Sequence, residues 1–387
     1  MNILRKTFAS PPFSLRRIAI AAGGAMALVA CGNDLPLALP PLQPAKGIVV
    51  LDGFIQPGLT LVADSGSSTS RIAFGPGTEF DAGGFSLRND TVLAVSSRAA
   101  GDLLYIADLN AGTMRRLQMP ALSNPGSARL FQGTNGQHLI AVALRDSGAI
   151  AMVQVAANGT STSSRINNAG RCPTDVFQYG NATWVVDANT NCKTDYAIVG
   201  DVRIIRIPDN GAARDTLIIP GMRGSSASAI VDGSVAYISA AGVADFSAFP
   251  YTLVASGRIA KISLADKTVL TQTTMPAQSY GASVRMGADQ FLYVSLYENL
   301  STFTDRMVKL NPSGLTVVST GSSPFMALKN AAGEDMTCGN GVADALGRLH
   351  CLVSGAGSAT SVVVFSTSGT EVRRVAAGQG GVDLALR

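Results

Sequence analysis

Charge is scarce in this sequence, and so are the side chains that do most acid–base chemistry. Asp, Glu, Lys and Arg make up 14% of the 387 residues, with 26 acidic side chains in all. Histidine occurs twice, at His138 and His350, and tryptophan once, at Trp184. No cluster of Lys and Arg interleaved with aromatics is present, which excludes the usual footprint of nucleic acid binding. There is no HExxH, no GxSxG, no phosphate-cradling loop and no CxxCH haem site. No apolar run approaches the roughly 20 residues that span a bilayer as a helix. What is abundant is apolar residues, at 47%, and glycine, at 41 positions. With Thr, Ser, Val and Ala also plentiful, this composition favours strands and tight turns over helices.

The first 46 residues stand apart. Arg5, Lys6, Arg16 and Arg17 give a basic start, and no acidic residue precedes Asp34. An apolar run over 18–30 follows. It is too short to span and is laid out as a secretory signal. Leu28-Val29-Ala30-Cys31 closes it and resembles the lipobox of bacterial lipoproteins. That resemblance implies a diacylglyceryl group on the Cys31 thiol, cleavage just before it and acylation of the new amino terminus. Two or more acyl chains give stable anchoring, where one gives only marginal binding. Gly32, rather than Asp, follows the cysteine, so the outer membrane is expected over the inner one. Arg16-Arg17 before Ile18-Ala19-Ile20 partly resembles a twin-arginine signal, but the general secretory route is the expectation. Residues 31–46 carry Pro36, Pro40, Pro41 and Pro44. Proline favours an extended chain, and this segment is read as a semi-rigid, poorly ordered tether.

Roughly 340 residues remain, enough for one large domain or two ordinary ones. With Cys31 lipidated, four of the five cysteines are left: Cys172, Cys192, Cys338 and Cys351. An even number in an oxidising compartment implies two disulfides. Three pairings exist. The local one, Cys172–Cys192 with Cys338–Cys351, closes the shortest loops. Zinc is the rival, but the cysteines do not form CxxC pairs.

Seven segments of the body share one pattern: a strand, a Gly- or Ser-rich loop, and a second alternating strand. They are 59–64 with 71–74, 103–108 with 114–117, 138–143 with 149–155, 182–187 with 202–207, 234–238 with 258–262, 291–294 with 306–310, and 349–353 with 361–365. Successive units lie roughly 35–60 residues apart, the period of propeller blades. Short strands such as 91–95, 174–177 and 283–286 precede many units, and outer ones such as 216–219 and 316–318 follow. Four antiparallel strands repeated radially make a β-propeller, which stacks sheets face to face and leaves only short edges. Leu61-Val62-Ala63-Asp64-Ser65-Gly66, with Arg71-Ile72, closely resembles an NHL-type propeller repeat. Leu104-Tyr105-Ile106-Ala107-Asp108 is similar to it and to YVTN repeats. The other five units keep the pattern without the signature, so the resemblance implies a fold more than an activity. The expected fold is all-β: a seven-bladed propeller of four-stranded antiparallel blades over 47–387, after a signal at 1–30 and a tether at 31–46. Segment 381–386 is expected to return as the inner strand of the first blade. Alternatively, or in addition, 48–51 serves as an outer strand on the last.

Long loops enter between strands of blades four (188–200), five (240–257) and six (297–305). Phe246, Phe249, Tyr251, Tyr297 and Phe303 lie there, with Pro250. Aromatics on loops held by a rigid scaffold suit recognition. The alternative is that they pack as small loop cores. Asp64, Asp108 and Asp187 end equivalent strands of the sequence pattern, and are read as turn caps rather than a ring of ligands. His138 and His350 are read as strand residues and Trp184 as core. One tryptophan cannot supply the repeated docking motif of quinone-holding propellers. The expected function is therefore an envelope-anchored binding or scaffolding lipoprotein, a monomer with a protein or glycan partner and no cofactor. The alternative is a lactonase-like hydrolase using carboxylates, with or without a divalent metal such as calcium, in the channel. Replacing Cys31 with Ser is expected to abolish metabolic labelling with palmitate; a variant that still labels refutes the anchor.

Overall fold

The structure, a computed structural model, describes residues 37–38, 47–53, 56–63, 66, 69–74, 82–97, 101–110, 112–134, 137–276, 279–318, 322–354 and 359–387. Cys31 and the segments read above as a signal and a tether lie outside them, apart from residues 37–38. Among the described residues there is no helix. Strands assemble into seven radial sheets. From the axis outward, blade 1 is Gly381–Leu386, Gly47–Asp52, Gly58–Ala63 and Thr69–Ala73. Blade 2 is Ala82–Arg88, Thr91–Ser96, Leu103–Asp108 and Thr113–Gln118. Blade 3 is Pro125–Thr134, Gln137–Leu144, Ala149–Val155 and Ser161–Ile166, and blade 4 is Pro173–Gln178, Ala182–Asp187, Arg203–Pro208 and Asp215–Ile218. Blade 5 is Ala227–Asp232, Val235–Ala240, Arg258–Ser263 and Thr268–Thr274. Blade 6 is Tyr280–Met286, Leu292–Asn299, Thr304–Asn311 and Thr316–Val317, and blade 7 is Asn340–Ala343, Leu349–Ser354, Ala359–Phe365 and Glu371–Gln379. Each innermost strand touches the innermost strands of both neighbours, so the contacts close into a ring of seven.

The residue types explain the layering. A middle strand packs a neighbouring blade on both of its faces, so it carries apolar side chains throughout. In blade 3, Ile140 to Leu144 are all buried. The outer strand of that blade reads Ser-Thr-Ser-Ser-Arg-Ile and is mostly exposed. Polar outer strands blunt the edges that would otherwise pair with other chains. The core is correspondingly divided into seven apolar clusters, one between each pair of adjacent blades. Trp184 is buried between blades 4 and 5, stacked on Phe177 with its indole N–H donated to the Tyr179 carbonyl at 3.2 Å. Phe74 of blade 1 stacks on Tyr105 of blade 2 with ring centroids 4.1 Å apart.

The C-terminal strand does supply the inner strand of blade 1. Its partner, however, corrects one expectation. Residues 48–51 do not add to blade 7; they form the second strand of blade 1, between Gly381–Leu386 and Gly58–Ala63. The expected pairs in blades 1 and 2 are thereby displaced one strand outward, because 59–64 and 103–108 fall in third strands. Two residues of the segment read as a tether are placed as well: Leu37–Ala38 pairs with Thr113 and Met114 as a fifth strand on blade 2.

Both disulfides are local. Cys172–Cys192 has a Cα–Cα distance of 5.6 Å and Cys338–Cys351 one of 5.8 Å, with sequence separations of 20 and 13. Cys338 sits just before the inner strand of blade 7 rather than within it. In a chain-entropy account each bridge contributes about 3 kcal/mol. Both histidines are buried in second strands, as expected, and burial holds each below the usual imidazole range.

Asp52, at the end of its strand, is fully buried. Thr60 Oγ1 donates to its Oδ2 at 2.7 Å, Arg71 Nε lies 3.5 Å away, and Oδ1 has no hydrogen-bond partner among the described residues. Gly378, with φ +78°, abuts it; a Cβ there would stand 2.6 Å from Oδ1. Burial pushes the Asp52 carboxyl up to about 6 from 3.8, against the opposing pull of Thr60 and Arg71. A folded value above the unfolded one means that the native chain binds more protons in this window. The stabilisation is therefore complete below pH 3.8 and is lost as pH rises through about 6. Asp52→Asn is expected to stabilise relative to wild type by an amount that grows by roughly 2–3 kcal/mol between pH 4 and 7.5. Urea unfolding of both proteins across that range checks it, and a constant difference refutes it.

Candidate functional site

Every blade places two loop sets on one face of the ring: the connection that leads into the blade and the loop between its second and third strands. This is the loop face. The opposite, turn face carries the connections from first to second and from third to fourth strands. Blade 4 inserts 188–202 on the loop face, tied by the Cys172–Cys192 bridge. Asp187 fixes the root of that insertion. Its Oδ1 accepts the N–H groups of Cys172 (2.8 Å) and Asn189 (3.0 Å), and its Oδ2 accepts those of Arg171 (3.1 Å) and the Arg203 Nε (3.0 Å). Asp187 is thus a cap, as expected. Asp108 also caps a turn, accepting the Asn110 N–H at 3.0 Å, but it ends a third strand and so faces the turn side. The two carboxylates lie on opposite faces and are not equivalent, while Asp64 lies outside the described residues.

Tyr196, in the blade 4 insertion, reaches across to Asn124 between blades 2 and 3. Asn124 Nδ2 donates to the Tyr196 hydroxyl at 2.8 Å and to Asp146 Oδ1 at 3.0 Å, and its Oδ1 accepts from Arg145 Nη2 at 2.8 Å. The Asp102 carboxylate accepts the N–H groups of Ser123 (3.2 Å) and Asn124 (2.9 Å). Loops from three blades are pinned together in this way.

The five aromatics singled out in the sequence come together on blades 5 and 6. A hairpin of Val243–Asp245 and Thr252–Ala255 rises from the blade 5 insertion. Phe246 packs edge-on against Tyr251 (5.2 Å) and Tyr280 (5.5 Å), Tyr251 against Phe303 (6.0 Å), and Phe303 against Tyr297 (5.6 Å). Ala241, Tyr280 and Leu300 are buried beneath them. Phe246, Tyr251, Tyr297 and Phe303 are half-buried, so they build the small loop core of the alternative reading. Phe249 differs. It is 71% exposed, supported edge-on by Tyr251 at 5.7 Å, and Val254 nearby in the hairpin is 67% exposed.

Two more apolar side chains stand out on this face without a sequence signal to mark them: Leu122 at 70% and Val199 at 50% exposure. Leu122 has φ +59°. A leucine held in the left-handed region costs about 1–2 kcal/mol, and here that backbone holds an apolar side chain in water. Bulky residues in sparsely populated backbone regions cluster at functional sites.

Two arginines on inner strands pair with carboxylates of other blades in the channel. Arg129, on the inner strand of blade 3, grips Asp175 of blade 4 through Nε–Oδ1 (3.0 Å) and Nη2–Oδ2 (2.7 Å), and its Nη2 also donates to the Ala229 carbonyl of blade 5 at 3.3 Å. Arg285 of blade 6 donates to Asn340 Oδ1 of blade 7 (3.1 Å), to the Leu384 carbonyl of blade 1 (2.9 Å) and to the Asp383 carboxylate. Asn340 Nδ2 donates to Asp383 Oδ1 at 2.9 Å. Each guanidinium therefore bridges three successive blades. Burial alone would raise Asp175, but Arg129 and the Ala229 and Val176 N–H groups hold it below the usual carboxylate range. Burial prevails at Asp383 and pushes it up, against the pull of Arg285. Among the described residues no three His, Cys, Asp or Glu side chains are grouped to hold a metal.

No family model and no curated protein sequence matches the chain. Solved structures do match its fold. One is a Bacteroides fragilis protein described as a candidate 6-phosphogluconolactonase, with a TM-score of 0.56 and 12% identity, covering 90% of this chain and 99% of that one. Another is the Kuenenia stuttgartiensis hydrazine synthase, with a TM-score of 0.55, 12% identity and coverage of 80% and 92%. A third is a quinoprotein alcohol dehydrogenase-like protein from Bacteroides thetaiotaomicron, with a TM-score of 0.53, 12% identity and coverage of 86% and 76%. At such identity the likeness is one of fold alone.

Arg285→Ala leaves Asp383 buried without its counter-charge where the last blade meets the first. It is expected to destabilise the protein by about 3 kcal/mol, the lower end of the roughly 3–5 kcal/mol for breaking a buried pair, because Asn340 and the Leu384 N–H still donate to Asp383. A urea midpoint equal to that of wild type refutes the clasp.

Proposed function

We propose that the chain is an envelope-anchored lipoprotein whose propeller binds a protein or glycan partner through its loop face. The observation that carries this reading is a group of four exposed apolar side chains on that face, Leu122, Val199, Phe249 and Val254; among the other exposed apolar side chains, Leu346 is as exposed as Phe249 but stands alone on the turn face. The pinning of the surrounding loops supports it. A surface already held in place loses little conformational freedom on binding, which favours affinity. Rigid aromatic anchors on a polar scaffold are common at the centres of interfaces. Anchoring through Cys31 rests on the Leu28-Val29-Ala30-Cys31 resemblance and accords with the two disulfides, which form in oxidising compartments.

The second reading is a channel hydrolase of lactonase type. The fold shared with the Bacteroides fragilis protein favours it, as does the contrast between Asp175, held low, and Asp383, pushed up. Carboxyl groups whose environments drive them apart can divide acid and base roles. Against it stands the engagement of both carboxylates by guanidinium groups.

Phe249→Ser combined with Val254→Ser tests the first reading without disturbing buried residues. Cross-linked envelope fractions are expected to yield a partner with the wild-type protein and at least tenfold less of it with the double variant. An unchanged set of partners refutes the loop-face reading. Calcium-dependent lactone hydrolysis lost in Asp175→Asn would establish the second reading instead.

A further inference from the structure

The outer rim of the ring is charged unevenly. From Cys31 onward acidic and basic side chains balance, with 26 of each. Yet the outermost strands of blades 1, 2 and 3, Thr69–Ala73, Thr113–Gln118 and Ser161–Ile166, hold four arginines and no Asp or Glu. Those of blades 5 and 6 hold no charge. On blade 4 the outer carboxylate, Asp215, is taken by Arg206 and Lys267, and on blade 7 Glu371 is taken by Arg374, beside Arg373. In the basic arc, Arg115 Nη1 donates to the Gly159 carbonyl at 2.6 Å and Arg165 Nη2 to the Ser147 carbonyl at 3.4 Å, while Arg116 is exposed. A backbone carbonyl fixes a guanidinium without cancelling its charge, and most of its five N–H donors stay available. Among the described residues the one carboxylate paired with this arc is the buried Asp52, 3.5 Å from Arg71 Nε.

A second observation falls on the same strand. Leu37–Ala38 pairs with Met114 and Thr113, immediately before Arg115 and Arg116. Cys31 precedes Leu37 by six residues, and a chain of that length reaches at most ~20 Å. A lipid on Cys31, as proposed above, therefore keeps the rim of blade 2 close to the headgroups. The arc that carries uncancelled positive charge is the part of the body that the anchor holds nearest the membrane.

We infer that the rim of blades 2 and 3 rests on an anionic phospholipid surface, with Arg115, Arg116 and Arg165 against headgroup phosphates. The inference rests on the anchored-lipoprotein reading and deepens it by naming a second membrane contact and the orientation that follows. The disc stands on its rim, so the loop face opens sideways and stays free for a partner. Guanidinium groups suit phosphate because their planar fork meets two oxygens at once. A basic patch beside a lipidated residue is one of the ways in which stable attachment is reached.

Vesicle co-sedimentation of the full-length chain carrying Cys31→Ser reads the rim without the lipid. The probes are vesicles of phosphatidylcholine alone and of phosphatidylcholine mixed with phosphatidylglycerol. Two further chains carry, in addition, Arg115→Gln, Arg116→Gln and Arg165→Gln, or lysine at the same three positions. The basic start and the apolar run over 18–30 are common to all three, so the ratios between them read the rim. Each basic side chain held at an anionic surface strengthens binding about fivefold. The glutamine variant is expected to bind the mixed vesicles at least tenfold more weakly than its parent, and the lysine variant within about threefold of it. High salt is expected to erase the difference. The inference is overturned if the parent does not prefer the mixed vesicles, if the glutamine variant binds as well, or if salt leaves the difference intact. A lysine variant that falls with the glutamine one overturns it too, because that reports a damaged body rather than a lost charge. Arginine-dependent binding of soluble inositol hexakisphosphate without binding to vesicles overturns it in favour of a free polyphosphate ligand. Any of these results with Cys31 still labelled by palmitate removes the rim contact and leaves the anchor standing.

Discussion

Pairing of Gly381–Leu386 with Gly47–Asp52 turns a row of seven sheets into a ring. Without that closure the first sheet lacks its inner strand and the apolar faces between blades 7 and 1 open to water. Ile48, Val50 and Val62 from one side and Val342, Leu352, Val362 and Ala377 from the other are buried only because the ring is shut. Burial of apolar surface is the main favourable term in folding, and here it is spread over seven similar interfaces. A single closure therefore governs the geometry of both faces and of the channel between them.

The channel follows from the same constraint. Inner strands brought edge to edge around an axis point polar side chains toward one another. Arg129 and Arg285 answer this by spanning from blade to blade, each using a carboxylate and backbone carbonyls as acceptors. The chain has few charges, and it concentrates several of them at the point where sheets from distant parts of the sequence meet. The loop face is held by different means: a disulfide, the carboxylate cap of Asp187 and the network around Asn124.

Much of the architecture was legible in the sequence, because middle strands must be apolar on both faces and outer strands must not. The number of blades, the returning C-terminal strand and the local disulfides follow from that pattern and from spacing. Rank within a blade was less legible. Alternation identifies 59–63 as a strand but not its distance from the axis, which is set by the pairing of 48–51 with the chain's far end. The site was partly legible. Loop aromatics are visible as insertions, yet which of them stay exposed depends on neighbours such as Tyr280 and Leu300. Leu122 carries no local mark. Arg129 and Asp175 lie 46 residues apart, and Arg285 and Asp383 lie 98 apart. The only sequence trace of these pairs is a charged residue inside a short strand pattern.

The position of Gly47–Asp52 has a mechanical consequence. It is laddered on one side to Gly381–Leu386 and on the other to Gly58–Ala63, so neither of its edges is free. Tension drawn through the segment before it would first peel the two-residue addition at blade 2. The load would then fall on two hydrogen-bonded ladders in parallel, pulled along the strand rather than opened bond by bond from an end. A body built this way resists being unravelled from its amino-terminal side, and the strand that closes the ring also carries the strain.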